Sequence, residues 1–96
     1  MPLYVMLTRL TDQGARTLKE DPGRIKDVDN QLGEMGLKVL HQYAVLGKYD
    51  FVNIVEAPDE DVIVRASVEL ASRGSVRVET MAAIGVDEFI EILKRR

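Results

Sequence analysis

The stretch from Leu37 to Glu56 limits this chain more than any other feature. Leu37–Leu46 and Asp50–Glu56 are rich in aliphatic, β-branched and aromatic residues, and Gly47-Lys48 lies between them. That pattern reads as two antiparallel strands joined by a tight hairpin. Glycine at the first central position suits a type II′ turn, where φ must be positive. The register follows: Leu46 opposes Tyr49, Val45 opposes Asp50, Ala44 opposes Phe51 and Tyr43 opposes Val52, and opposed residues share a face. One face then holds Leu40, Ala44, Phe51 and Val55, with Gln42, Asn53 and Tyr49. The other holds Val39, His41, Tyr43, Val45, Val52 and Ile54, with Asp50 and Glu56 at its ends.

Neither face is mainly charged. An antiparallel sheet covered on one side only would alternate apolar inward with polar outward. Leu3–Thr8 repeats the two-faced pattern, with Leu3, Val5 and Leu7 on one side and Tyr4 and Met6 on the other. Both faces of the sheet therefore call for a cover.

The remaining elements supply one. Thr11-Asp12-Gln13-Gly14 reads as a loop with capping side chains, and Ala15–Glu20 as a short helical turn. Asp21-Pro22-Gly23 interrupts it, with Asp21 placed to cap a new helix and Pro22 at its first position. Ile25, Val28, Leu32 and Met35 recur at three- and four-residue spacing, which gives a helix with one apolar stripe ending at Gly36. Asp59 offers a cap for a second helix, striped by Val62, Ile63, Ala66 and Leu70 and ended by Arg73-Gly74-Ser75. Val76–Met81 is a fourth strand. Val86, Phe89, Ile90 and Leu93 mark a closing helix, and Lys94-Arg95-Arg96 complements the dipole at its end.

The order β-α-β-β-α-β-α predicts an α+β, ferredoxin-like split βαβ fold, a four-stranded antiparallel sheet plus a C-terminal helix. Residues 1–96 read as a single domain. Two helices cover one face of such a sheet. For the other face the closing helix competes with a second copy of the chain. The copy is favoured, because apolar patches of several hundred Å2 are rare on monomers.

Composition removes several functions. The net charge is −3 over 96 residues, without the basic stripe of a nucleic-acid binder. No leader-like segment or membrane-length apolar run is present, so a cytoplasmic protein is expected. With no cysteine and one histidine, His41, a metal site and a Cys-His or Ser-His-Asp arrangement lack their parts. No cofactor-binding motif is found.

Four segments together, "YVMLTRLTDQG" (Tyr4 to Gly14), "GKYD" (Gly47 to Asp50), "IVEAPDED" (Ile54 to Asp61) and "GSVRVETMAAI" (Gly74 to Ile84), resemble the GYD-domain family of small prokaryotic proteins. The family takes its name from residues that match Gly47, Tyr49 and Asp50. The resemblance implies a dimeric α/β-barrel arrangement, in which two ferredoxin-like sheets pack together. That wider group includes cofactor-free monooxygenases, haem-dependent enzymes and amino-acid-sensing modules, and this kinship speaks to fold rather than activity.

The ligand-binding candidates are His41, Tyr43, Tyr49 and Asp50, with Gly47 defining the turn. Each has a structural alternative. Asp50 can accept backbone N–H bonds in its hairpin or act as a base or ligand anchor. Tyr49 can pack its ring or bind a ligand through its hydroxyl. His41 can sit in an interface or titrate near neutrality as a functional group. The leading expectation is a homodimeric or higher-order module that binds a small molecule between sheet and helices or at the subunit boundary. The alternatives are a cofactor-free oxygenase or isomerase, with His41 or Asp50 as base and Tyr49 as oxyanion donor, and a purely architectural assembly subunit.

Overall fold

A computed structural model describes residues 1–95, so Arg96 and its part in the basic tail lie outside the described residues. The elements run β1 (Leu3–Leu10), α1 (Asp12–Glu20), α2 (Arg24–Glu34), β2 (Lys38–Ala44), β3 (Phe51–Glu56), α3 (Glu60–Ser72), β4 (Val76–Ala83) and α4 (Val86–Lys94). The four strands form one antiparallel sheet in the order β2-β3-β1-β4. This is the predicted split βαβ arrangement, with the two central strands β1 and β3 each followed by helical structure.

Tyr4 and Met6 of β1 and Val55 of β3 point under the helices, where they meet Leu32 of α2 and Ile63, Ala66 and Leu70 of α3. The apolar stripes read from the sequence are thus the packing faces. Asp59 caps α3, its carboxylate accepting the Val62 N–H at 3.0 Å. The same service is done for α1 by Thr11, whose hydroxyl accepts the Gly14 N–H at 3.1 Å.

Helix α1 begins three residues earlier than the sequence suggests, because Gly14 is needed inside it. A Cβ on Gly14 would stand 2.0 Å from the Ser75 carbonyl oxygen. The Thr11 N–H donates to that same oxygen at 3.0 Å, and the Thr11 hydroxyl donates to the Gly74 carbonyl at 2.7 Å. The start of α1 is therefore fastened to the loop before β4. Asp21 ends α1 rather than capping α2, whose N-cap is Gly23 with no side-chain bond.

The hairpin keeps its expected register near the turn. Ala44 opposes Phe51 and Tyr43 opposes Val52, the Val45 N–H donates to the Asp50 carbonyl at 2.8 Å, and Gly47 has φ of 141°. Farther along, a β-bulge lies between Val39 and His41, so Val39 opposes Val55. Val39 consequently joins the helix-covered face instead of the face of His41. Leu40 is the surplus residue of the bulge. Tyr49 also changes side. The β2–β3 ladder stops at the Ala44–Phe51 pair, and strict alternation no longer fixes residues inside the turn.

Candidate functional site

The second face of the sheet carries Leu3, Val5 and Leu7 of β1, Val52 and Ile54 of β3, His41 and Tyr43 of β2, and Met81 of β4. Among the described residues no element roofs it. The rings of His41 and Tyr43 stack in parallel here, 6.4 Å apart, and Tyr43 is 58% exposed. Helix α4 does not fold back over this face. It has no buried residue, and Val86, Phe89, Ile90 and Leu93, one stripe at helical spacing, are all exposed. The chain thus presents two unpartnered apolar surfaces.

One end of this open face is cationic. Arg9 and Arg77 stand directly opposite one another on β1 and β4. Lys48 lies beside them, 5.6 Å from the centre of the Tyr49 ring. None of the three cations forms an ion pair among the described residues. The local carboxylate, Glu79, accepts a hydrogen bond from the Tyr49 hydroxyl. That bond, followed by desolvation and the charge of Glu79, raises the Tyr49 phenol above its ordinary range.

Asp50 sits at the same end but faces neither Tyr49 nor His41. Its carboxylate accepts the Leu10 N–H at 2.8 Å, while its own N–H donates to the Thr8 carbonyl at 2.8 Å. It ties the start of β3 to the end of β1. The four residues singled out in the sequence therefore fall into separate settings: His41 and Tyr43 stacked on the open face, Tyr49 paired with Glu79, and Asp50 engaged by backbone.

Beneath the helices lies a hollow of about 120 Å3 between α1, α2, α3 and the Leu10 end of the sheet. Leu10, Leu18, Ile25, Phe51 and Val76 give it an apolar lining, and Arg24, Asp29, Gln42 and Arg73 supply polar groups. The Gln42 amide donates to Asp29 at 2.9 Å. The neighbouring Asn53 is 8% exposed, and its side-chain oxygen has no hydrogen-bond partner among the described residues. None of these was singled out from the sequence. The available signal was the pair Gln42 and Asn53, two amides assigned to an otherwise apolar face.

The described residues contain no cluster of three or more His, Cys, Asp or Glu placed to hold a metal ion. No helix among them is long and apolar enough to cross a membrane.

A model of the GYD domain matches residues 4–93. The chain belongs to the GYD-domain family. A GYD-type relative in Thermus thermophilus, described as "Glutamine synthetase and cystathionine beta-lyase binding protein", is 52% identical over 95 residues, spanning 98% of this chain and 100% of the relative. Among solved structures, TTHA0845, also of Thermus thermophilus, overlays with a TM-score of 0.58 at 23% identity, covering 88% of this GYD chain and 95% of that one. A hypothetical protein of Pyrococcus horikoshii gives 0.57 at 22% identity, covering 88% and 92%. At such identities these structures speak to the fold alone, and the fold is the same sheet-and-helix plan.

Proposed function

We propose that this GYD-domain protein is a homodimeric interaction module that docks on metabolic enzymes of the glutamine synthetase and cystathionine β-lyase kinds. The observation that carries the reading is the 52% identity, end to end, with a relative described as binding those two enzymes. The geometry agrees with binding rather than catalysis. Base, acid and oxyanion donor do not converge in an enclosed space, since Asp50 is held by the Leu10 N–H and Tyr49 by Glu79. The open sheet face is the dimer contact, with His41 and Tyr43 inside it. Apolar burial of a second sheet provides the drive, at about 25 cal/mol per Å2. The surface offered to an enzyme is the outer side of α3, where Val64 and Val68 stand 58% and 62% exposed one turn apart.

Surface-immobilised protein exposed in turn to purified glutamine synthetase, cystathionine β-lyase and an unrelated enzyme from the same host tests this. Saturable micromolar binding to at least one of the first two is expected, and it is lost in Val64→Asp/Val68→Asp. Failure to bind either overturns the docking. A monomer by sedimentation at micromolar concentration overturns the dimer.

The hollow favours a second reading, in which the module also holds a small, mostly apolar molecule whose polar end meets Arg24, Asp29 or Gln42. The apolar lining favours an apolar body and the polar groups at the rim fix its orientation. Filling the hollow raises thermal stability. A thermal-shift screen of small apolar acids and amides is expected to give saturable increases. A flat response throughout removes this reading.

A further inference from the structure

The open sheet face and the apolar side of α4 are both uncovered, and α4 leaves the sheet at the end opposite the hairpin. The register places Leu3 of β1 beside Ala83 of β4, so α4 departs from the Leu3 end of the sheet. The cations Arg9, Arg77 and Lys48, and the hairpin tip with Leu46 fully exposed, mark the other end. The long dimension of 54 Å is about twice the ~26 Å of an eight-residue strand, so α4 extends the molecule rather than doubling back.

We infer that α4 is an arm that docks on a second copy of this chain, against the partner's hairpin end, and that each copy gives and receives one arm. The inference rests on the paired-sheet reading above and adds which end of each copy meets which. A two-fold axis lying between the facing sheets and perpendicular to their strands puts the Leu3 end of one copy over the Leu10 end of the other. Only this choice brings an arm to a hairpin.

Three observations favour a copy of the chain as the occupant. The first is area. In projection the open face of four strands is roughly 19 by 20 Å, or about 400 Å2, and a stable complex takes about 800 Å2 from each partner. The apolar side of one arm and the hairpin end receiving the other raise each copy's share to roughly 700 Å2 in projection, close to that requirement. The second is charge. Arg9 and Arg77 oppose each other across the strands, an arrangement that destabilises a sheet unless an anion lies between them. The nearby Glu79 is already taken by Tyr49. The first turn of α4 carries Asp87 and Glu88, the groups that the partner's cations lack. The third is fit of kind. Val86, Phe89, Ile90 and Leu93 need an apolar seat, and Leu46 and Tyr43 at the hairpin end need a cover.

The natural chain has no cysteine, so introduced thiols are the only ones present. Leu46→Cys and Phe89→Cys, prepared separately, mixed and treated with a short bis-maleimide, are expected to yield a covalent dimer that neither variant yields alone. Within one chain the two positions are separated by the length of the sheet. In parallel, sedimentation equilibrium on Asp87→Lys/Glu88→Lys is expected to show dimer affinity lowered about tenfold, with recovery on mixing with Arg77→Glu/Lys48→Glu. If the natural protein sediments as a monomer, the paired-sheet reading falls and takes the arm with it. A dimer that neither cross-links between Leu46→Cys and Phe89→Cys nor responds to the reversed charges overturns the arm alone. Retention of the dimer by the charge variants with loss of enzyme capture assigns the cations to an enzyme partner, and that also overturns it.

Discussion

Replacing Gly14 by alanine sets two opposed effects in one residue. Alanine is the better helix former by up to about 1 kcal/mol, and Gly14 lies within α1. Against that gain, the new Cβ would stand 2.0 Å from the oxygen and 3.0 Å from the carbon of the Ser75 carbonyl, with Leu10 Cδ2 at 3.3 Å. Backbone stands on both sides of the contact, so no side chain can swing aside. Relief means lifting the start of α1 from the loop before β4 by more than an ångström. Such overpacking costs about 1–3 kcal/mol. The lift also strains the two bonds from Thr11 to Ser75 and Gly74, each worth about 1 kcal/mol. Allowing for the propensity gain, Gly14→Ala loses about 2–4 kcal/mol, which lowers Tm by roughly 10–25 °C in a domain of this size. Gly33→Ala is the matched control, since a Cβ there meets nothing within 4 Å, and it is expected to gain a few tenths to 1 kcal/mol. Urea unfolding followed by circular dichroism, with thermal melts alongside, reads both. A Gly14→Ala protein as stable as the natural one would falsify the close-approach argument.

Further expectations concern the hairpin end, the open face and a helix cap. Asp50→Ala strands the Leu10 N–H and is expected to cost about 1–3 kcal/mol in urea unfolding, whereas Asp50→Asn keeps an acceptor and costs less. An equal loss for both variants would mean that the charge, not the acceptor, matters. Tyr49 is held protonated chiefly by its bond to Glu79, so tyrosinate absorbance is expected to rise at lower pH in Glu79→Gln than in the natural protein. Because the folded-state value is raised, the associated stabilisation is complete below the ordinary tyrosine value of 10.0 and is withdrawn as pH climbs through the folded one. Coincident titration curves for the two proteins would show that the bond does not govern the phenol. Ile54→Lys on the open face is expected to shift sedimentation towards monomer while leaving the circular dichroism spectrum unchanged, and an unaltered mass would place the contact elsewhere. Asp59→Ala removes the cap of α3 and is expected to cost about 1 kcal/mol, read by thermal melting.

Much of this molecule could be read before its coordinates. Val28, Leu32 and Met35 of one stripe and Ile63, Ala66 and Leu70 of the other form packing faces because helical spacing leaves one side for the core, while Ile25 lines the hollow. Gly47 and the alternation beside it set the pairing of Ala44 with Phe51 and Tyr43 with Val52. The bulge escaped notice for a physical reason. Val39, Leu40 and His41 contain no glycine, and with both faces of the sheet mainly apolar a one-residue slip leaves little trace in hydropathy. The sequence predicts a shorter α1 because Gly14 argues against a helix locally, and only its approach to Ser75, remote in sequence, explains it. The role of Asp50 was ambiguous for the same reason, since its partner Leu10 is 40 residues away. Asp29 and Gln42 share the rim of the hollow through folding, and neither carries a local mark.

The surplus residue at Leu40 also bears on how copies of this chain can add to one another. A sheet with two free borders can grow sideways without limit, strand joining strand, into a ribbon, and here that growth would require β2 of one molecule to zip onto β4 of the next. A bulge bends its strand and breaks the even spacing of amides and carbonyls, so β2 is a poor template for a straight strand. Spoiling a single border is enough to stop the polymer. The bare flat is then the surface offered to the second copy proposed above, and a stack of flat against flat would close after two.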